Sequence, residues 1–330
     1  MVVLPSEDRL STGRPHPRPR VRRAAWLAAA CGGALLGFAT GCGSRPALEV
    51  VVYCSQDQVY AEPILNDFTV RTGIRVRPVF DSEAVKTVGL ANRLLAERGH
   101  PQCDVFWSNE ELRTRQLAAQ RVFREADGWV AVGARSRRLV VNTNLLKTAQ
   151  FPRSLIELTN EAWRGKVALA YPLFGTTATH FLALRQAWGP ARWEAWCRAL
   201  QRNQPFLLDG NSLAAKLVAR GEAWVGLTDS DDIAAEQRTG APVAALPLGE
   251  ELLLIPNTIG VVRNAPHSEA AQQLFAYLQE RGVLARLVAV QALEAAAAGQ
   301  VSAPTLRPDW ARLLAGLEDG TATLKNIFLR

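Results

Sequence analysis

Apolar runs rich in β-branched residues alternate with helical patterns along most of the chain. The runs predict strands at 49–54, 75–80, 104–107, 167–170, 224–227 and 243–246. Stretches whose apolar residues recur at helical spacing predict helices at 61–72, 83–98, 176–188, 212–220 and 231–239. Strands that alternate with helices in this way are typical of parallel sheets covered by helices on both faces. Because the pattern recurs after Leu155, we expect two α/β lobes.

Two further apolar segments, 138–144 and 253–262, are too long and too rich in strand-forming residues for surface loops. If the chain crosses between lobes on the first and returns on the second, lobe one consists of residues 47–138 plus 260–330. Lobe two then consists of residues 139–259, and the helical stretch after Pro266 is expected to pack on lobe one. The crossing strands near 140–142 and 257–259 are the expected hinge, and the cleft between the lobes is the expected ligand site.

The N-terminus has the features of an export signal. Arginines between positions 14 and 23 precede an uncharged run from Ala24 to Phe38, and small residues then lead to Cys42. The run is shorter than the roughly 20 residues that a membrane-spanning helix needs. We expect residues 1–41 to be a signal peptide of the lipoprotein type, because LLGFATGC resembles a bacterial lipobox with Cys42 as the lipidated residue. The alternative is an ordinary signal that is cleaved near Gly41.

Composition limits the function classes. Hydrophobic residues make up 48% of the chain and charged residues 21%, which is typical of a folded protein. The formal charge is +7, but +4 of it lies in residues 1–41, so nucleic-acid binding is not expected. Cys54, Cys103 and Cys197 follow no metal-binding spacing, and we expect buried thiols. The sequence contains no hydrolase elbow, zincin, P-loop or dinucleotide motif. Such an absence does not exclude an enzyme, but nothing in the sequence points to one, and we expect none.

Polar residues are concentrated directly after the predicted strands, where open α/β sheets bind their ligands. In the first lobe these residues are Ser55, Gln56, Asp57, Glu83 and Asn109. In the second lobe two helices begin with polar residues, namely Gly175, Thr176, Thr177 and Asn211. A helix N-terminus suits an anion, although simple capping explains the same residues.

The second lobe also carries a run of acids. Asp229, Asp231 and Asp232 place three carboxylates within four positions. Such close like charges raise one another's pKa unless a cation or hydrogen-bond donors compensate. The run does not match an EF-hand loop, so coordination of a cation would need help from the opposite lobe. Helix capping at a solvated turn is the alternative.

Five stretches of the chain carry a resemblance to a known family. They are residues 50–97, CDVFWSNE at 103–110, PLFGTTATHFLAL at 172–184, VARGEAWVGLTDSDD at 218–232 and residues 252–278. The chain resembles the bacterial extracellular solute-binding proteins of family 1, close to the ferric-iron-binding periplasmic proteins of ABC importers. The resemblance implies an α/β fold of the two-lobed periplasmic-binding-protein kind (type II), with two crossover hinge strands. It also implies that the lobes close on a ligand, which is then delivered to a membrane permease.

The resemblance assigns roles to individual positions. The iron ligands of the ferric-binding relatives are a histidine, a glutamate and two tyrosines, and they fall on Asp57, Glu83, Asp231 and Asp232. Of these four ligands only the glutamate is present here, so the resemblance alone does not imply that this chain binds iron. Four carboxylates are nevertheless hard oxygen ligands that suit a di- or trivalent cation. The anion site of the family falls on Gly175, Thr176, Thr177 and Asn211, where its chemistry looks preserved.

The predicted function is therefore the substrate-binding component of an ABC importer, with a hard metal cation as the solute. Fe³⁺ with a synergistic anion is one form of this prediction, and Asp57, Glu83, Asp231 and Asp232 are the predicted metal ligands. The other predicted ligand-binding residues are Ser55, Gln56, Asn109, Gly175, Thr176, Thr177, Asn211 and Asp229. Two alternatives stay open: a small anionic or zwitterionic organic solute such as a phosphonate, and a lipid-anchored hydrolase or transferase.

The same reading predicts the setting of the protein. We expect a monomer in the periplasm or at the cell surface, tethered to the membrane by lipid on Cys42. Its expected partners are a small solute and an ABC permease in the inner membrane, with no nucleic acid.

Overall fold

The computed structural model describes residues 48–80, 86–124, 128–301 and 305–329. The predicted signal peptide, Cys42 and Glu83 lie outside these residues. The strands of the described part are β1 (Glu49–Cys54), β2 (Arg75–Phe80), β3 (Val105–Ser108), β4 (Trp129–Asn142), β5 (Val167–Ala170), β6 (Phe206–Leu208), β7 (Val225–Asp229), β8 (Val243–Leu246) and β9 (Leu254–Val261).

Helices connect most of these strands. They are α1 (Gln58–Thr72), α2 (Lys86–Ala96), α3 (Glu111–Ala119), α4 (Gly175–Trp188), α5 (Pro190–Arg202), α6 (Asn211–Ala219), α7 (Ser230–Arg238), α8 (Ser268–Tyr277), α9 (Arg281–Ala289), α10 (Trp310–Ala315) and α11 (Leu317–Phe328). Within the described ranges, no helix combines the length and the apolar character that a membrane crossing requires.

The strands form one hydrogen-bonded path in the order β2-β1-β3-β9-β4-β7-β5-β6, and β8 pairs with β4. Strand β4 takes part in two sets of pairings, because its residues 129–136 pair with β9 and its residues 137–142 pair with β7 and β8. We call the β2-β1-β3-β9 side the first sheet and the side with β7, β5, β6 and β8 the second sheet. The chain therefore changes sheets within β4 at Ser136 and Arg137, and not at the predicted position 140–142.

Each sheet has its own buried core. On the first sheet, Val52 packs with Phe68 of α1 and Leu274 of α8. On the second sheet, neighbouring side chains of β4 enter different cores, because successive side chains of a strand point to opposite sides. Leu139 and Val141 join the core that contains α4 and α5, whereas Val140 joins the core under α6 and α7. All three thiols predicted to be buried, those of Cys54, Cys103 and Cys197, are buried.

The helices after β9 divide between the two sheets. Helices α8 and α9 pack on the first sheet, but Leu324 and Phe328 of α11 belong to the same core as Phe181 of α4. The apolar residues of α11 are buried against α4 and α5, whereas α10 contacts both α3, which belongs to predicted lobe one, and α4. The assignment of residues 260–330 to lobe one stays a prediction, as do the remaining lobe boundaries.

Candidate solute-binding site

Two buried arginines on β4 organise the polar centre of the molecule. Arg135 is 3% exposed and Arg137 is fully buried. They lie two residues apart, so the alternation of the strand places both on the same face. A β-bulge between Val132 and Arg135, at which Gly133 has a φ of 60°, shifts the register just before them. A buried guanidinium is costly unless it is paired, so the partners of these two residues decide what the site can do.

Arg137 lies among the residues of the predicted anion site. Its Nη1 donates to Asp229 Oδ1 at 2.6 Å, to Asn211 Oδ1 at 3.0 Å and to Thr176 Oγ1 at 3.2 Å. Its Nη2 donates to Thr177 Oγ1, also at 3.2 Å. The structure thus brings Thr176, Thr177, Asn211 and Asp229 together around an arginine that the sequence analysis did not consider.

The carboxylate of Asp229 fills the centre of this group. In addition to the contact with Arg137, its Oδ2 accepts from Thr176 Oγ1 at 2.8 Å and from Asn211 Nδ2 at 3.4 Å, and it lies 3.3 Å from Nη2 of Arg135. Burial alone would raise the pKa of Asp229, but the two arginines outweigh it and hold the pKa below its ordinary value. Asp229 is therefore an ionised, internally neutralised group.

Arg135 links the two sheets. Its Nη1 donates to Asp231 Oδ2 at 2.6 Å, and its Nη2 donates to the Asn109 carbonyl oxygen at 3.0 Å. The side chain of Asn109 accepts from the Ser55 hydroxyl at 3.3 Å, and that hydroxyl accepts from the Asn109 backbone N–H at 3.0 Å. Two residues predicted as ligands, Ser55 and Asn109, are thus positioned together at the ends of β1 and β3, next to the arginine.

A cavity of about 220 Å³ lies beside this cluster. Asp57 from the end of β1 lines it together with Asp231 and Asp232 from the start of α7. The other lining residues are Val59, Tyr60, Ser212, Lys216, Ala235 and Glu236. One carboxylate oxygen from each of Asp229, Asp231 and Asp232 lies within 4.8 Å of the others, which is close enough for a shared cation.

The carboxylates of Asp231 and Asp232, which line the cavity, are only partly compensated. Oδ1 of Asp231 is buried and has no hydrogen-bond partner in the described part of the chain, and a side-chain oxygen of Asp232 accepts from the Thr228 hydroxyl at 2.8 Å. Burial raises the pKa of Asp231 to about 6, although Arg135 opposes the rise. Burial, together with the charges of Asp231 and Asp229, raises the pKa of Asp232 well above its ordinary value. A cation in the cavity would offset both shifts, because a nearby positive charge favours the ionised carboxylates.

The other predicted residues are placed less decisively. Gln56 Oε1 accepts from Asn257 Nδ2 at 2.8 Å, and both side chains are buried. Gly175 begins α4 with a φ of 55°, in the left-handed region that favours glycine. Glu83 lies outside the described residues, so its predicted role as a metal ligand stays a prediction.

Sequence reasoning missed Arg135 and Arg137, and it also missed Tyr60, Lys216 and Glu236 on the cavity wall. A signal for the arginines was present, because GARSRRLVVN at 133–142 places charged residues directly before a strand-forming apolar run. Charges in such a strand have to be either solvent-facing or paired with buried acids, and the acid run at 229–232 supplies those partners.

Comparison with known proteins assigns the chain to a family. The model of a family described as bacterial extracellular solute-binding proteins matches residues 48–288, so the chain belongs to that family. Among curated relatives, a Fe(3+)-binding periplasmic protein of Serratia marcescens is 28% identical over 196 residues, which are 54% of this chain and 56% of the relative. A major ferric iron-binding protein of Neisseria meningitidis is 25% identical over 216 residues, which are 60% of this chain and 63% of the relative. The match therefore spans less than two thirds of the length of these relatives.

Solved structures confirm the predicted fold class, an α/β periplasmic-binding-protein fold. Iron-bound HitA from Pseudomonas aeruginosa has a TM-score of 0.72 at 19% identity, and the match covers 85% of this chain and 99% of that protein. AfuA from Actinobacillus pleuropneumoniae, solved with fructose-6-phosphate, has a TM-score of 0.70 at 19% identity, with 84% and 96% covered. At such identities the likeness concerns the fold alone.

Proposed function

We propose that the protein is the solute-binding component of an ABC importer and that it captures a cation through Asp57, Asp231 and Asp232. The observation that carries this proposal is the buried carboxylate oxygen of Asp231, which has no hydrogen-bond partner among the described residues and belongs to a cavity-lining residue. An uncompensated buried carboxylate is costly for the empty protein, so a site of this kind is best accounted for by a ligand that supplies positive charge.

The charge balance supports a cation over an anion. With every carboxyl ionised, as coordination of a cation requires, the four aspartates Asp57, Asp229, Asp231 and Asp232 and the two arginines Arg135 and Arg137 carry a formal charge of −2. Lys216 and Glu236 on the cavity wall cancel each other. Since Arg137 is committed to Asp229, and Arg135 is divided between Asp229 and Asp231, the deficit lies on the side that faces the cavity.

Oxygen ligands favour a hard multivalent metal ion, and the names of the relatives from Serratia and Neisseria make Fe³⁺ the first candidate. The cavity wall also contains Tyr60, whose phenol oxygen accepts from Arg238 Nη2 at 2.8 Å. Burial raises the pKa of Tyr60, so this side chain offers a neutral oxygen and does not replace the paired tyrosines of the ferric-binding relatives. Carboxylates therefore dominate the proposed ligand set, to which Glu83 is added as a predicted member.

The proposed ligands come from both sheets, which suits a protein that closes on its solute. Asp57 extends from the first sheet and the two other acids from the second, so full coordination requires both sheets to approach one solute. Binding then shifts the protein toward the form in which both sets of contacts are made. Export of the chain, removal of residues 1–41, lipidation of Cys42 and delivery to an inner-membrane permease belong to the same proposal.

A small anionic or zwitterionic organic solute is the second candidate. Lys216 lines the same cavity as the acids and gives it both signs of charge, and the structural relative AfuA was solved with a sugar phosphate. The alternative of a hydrolase or transferase finds no support among the relatives and is not proposed.

Calorimetric titration of the exported protein tests the proposal. We expect heat of binding with at least one multivalent cation, with Fe³⁺ supplied as its citrate complex and Ca²⁺ and Mg²⁺ as chlorides. Asp231→Asn and Asp232→Asn should each weaken that binding at least tenfold, while Asp319→Asn, which changes an exposed acid of α11, should leave it unchanged. Heat with fructose-6-phosphate alone, and with none of the cations, would favour the second candidate and overturn the first.

A further inference from the structure

The geometry points to Asp229 as a built-in anion. We propose that its carboxylate permanently occupies a cradle that would otherwise bind a free oxyanion, so that the protein holds its solute without a companion anion. The second half of this statement rests on the proposed function, whereas the first half concerns only the residues around Asp229.

The cradle consists of four donors directed at the two oxygens of one carboxylate. Arg137 Nη1 reaches Oδ1, and Thr176 Oγ1 and Asn211 Nδ2 reach Oδ2, where Nη2 of Arg135 also lies within ion-pair distance. The carboxylate is 2% exposed. Two guanidinium groups, a hydroxyl and an amide around a buried site form the kind of donor set that binds phosphate or carbonate.

The helices around the cradle favour negative charge as well. Thr176 and Asn211 stand in the first turns of α4 and α6. Unpaired backbone N–H groups and the helix dipole make each of these ends attractive to an anion. These are the positions at which the sequence analysis placed an external anion, but there the structure has a side chain of the protein itself.

The sheet holds this side chain in place. Asp229 is the last residue of β7, and it lies directly opposite Arg137 in the antiparallel pairing of β7 with β4. The pairing fixes the distance between carboxylate and guanidinium before any solute arrives. A free anion would have to displace a group that is covalently attached at the site, which has a far higher effective concentration than a dissolved ion.

The acids next to Asp229 make an added anion still less favourable. Arg135 is already shared between Asp229 and Asp231, and Asp232 adds a third carboxylate beside them. A second anion in the cradle would add further negative charge. We therefore expect cation binding by the wild-type protein to be independent of phosphate.

Removal of the carboxylate should open the cradle. We expect Asp229→Ala and Asp229→Ser to bind inorganic phosphate in a calorimetric titration, and phosphate should raise their melting temperatures. The wild type should give no heat with phosphate. Asp67→Ala is the matched control, because Asp67 is an arginine-paired acid outside the cradle, with Arg286 Nη1 at 2.9 Å, and its removal should create no phosphate site.

Three outcomes would overturn the inference. They are phosphate binding by the wild type as tight as that of the Ala variant, a folded Asp229→Ser that binds no phosphate, and a wild type whose cation affinity rises tenfold with phosphate. The wild-type titrations decide the matter even if both variants fail to fold. Phosphate binding by the variants without cation binding by the wild type would uphold the cradle and reject the proposed function, so the two claims fail separately.

Discussion

Asp229 and Asp232 lie three positions apart at the junction of β7 and α7, yet their surroundings are opposite. Asp229 is contacted by two arginines, a threonine and an asparagine, and its pKa is lowered. Asp232 has a hydrogen bond from the Thr228 hydroxyl, and its pKa is raised well above the ordinary value. The first acid is compensated by the protein, while the second has a deficit of positive charge.

This difference separates a structural acid from a functional one. Buried charges that are fully paired fix the relation of neighbouring elements, and here Asp229 ties β7 to β4 and to the starts of α4 and α6. Charges that are left uncompensated in the interior destabilise the empty protein, and a ligand of opposite charge relieves that cost when it binds. Asp231 lies between these extremes, because Arg135 pairs one of its oxygens and the other lacks a partner within the described residues.

The largest expected effect comes from breaking the compensated side. Arg137→Met leaves Asp229 buried with only the longer contact to Arg135 as ionic compensation, so the free energy of unfolding should fall by about 3–5 kcal/mol. Urea unfolding measures this change. Arg138→Met is the matched control on the same strand, because its ion pair with Glu294 is partly exposed and should contribute about 1 kcal/mol or less. Equal losses of stability in the two variants would mean that the buried contacts of Asp229 stabilise the fold no more than an exposed ion pair does.

The next largest effect concerns the wall that the first sheet contributes to the cavity. Asp57→Asn should weaken cation binding at least tenfold, or about 1.4 kcal/mol, because the solute loses its charged contact from that sheet. The measurement is a calorimetric titration with the cation that the wild type binds. Glu62→Gln is the matched control and should have no effect, because Glu62 is an exposed acid of α1, the helix that begins directly after Asp57. An unchanged affinity in Asp57→Asn would confine the site to the second sheet.

The smallest expected effect has the opposite sign. Asp232→Asn should stabilise the cation-free protein at pH 8 by about 1 kcal/mol, because the amide keeps the contact with Thr228 and removes an uncompensated charge. Asp229→Asn should be destabilising under the same conditions. Denaturant unfolding of both variants in the presence of a chelator provides the comparison, and a loss of stability in Asp232→Asn would show that this acid is compensated after all.

The pH dependence of that gain follows from the raised pKa. The folded protein retains a proton on Asp232 at pH values at which the unfolded chain has lost it, so the cost of ionising Asp232 is complete only above the folded pKa. As the pH falls through the folded pKa toward the ordinary value of the acid, that cost disappears. The stability advantage of Asp232→Asn over the wild type should therefore shrink as the pH is lowered, and a constant advantage would contradict this origin.

Local pattern predicted much of the fold. The bounds of β5 and β8 agree with the sequence prediction. Strand β5 is buried throughout, and a strand buried on both faces is a continuous apolar run that is visible in the sequence. Strand β4 starts at Trp129 instead of Arg138, since Gly133 and the two buried arginines interrupt the apolar pattern. The three-residue strand β6 is too short to carry a period, and the docking of α11 on α4 depends on tertiary contacts that no local pattern contains.

The positions of several site residues were predictable from the sequence, but their pairing was not. The acids at 229–232 and the threonines at 176–177 follow strands and are visible by position, and the structure brings them together. The difference between the fully paired Asp229, the half-paired Asp231 and the poorly compensated Asp232 was not predictable, because it depends on which face of β4 carries Arg135 and Arg137 and on how β4 pairs with β7. Pairing between strands that are about 90 residues apart in the chain leaves no trace in either segment alone.

The metal content of protein purified without chelator tests the central claim most directly. Mass spectrometry of the wild type should detect a multivalent metal in stoichiometric amount, and the double variant with Asp231→Asn and Asp232→Asn should have lost it while Asp319→Asn keeps it. A wild type that carries no more metal than the double variant would contradict the account.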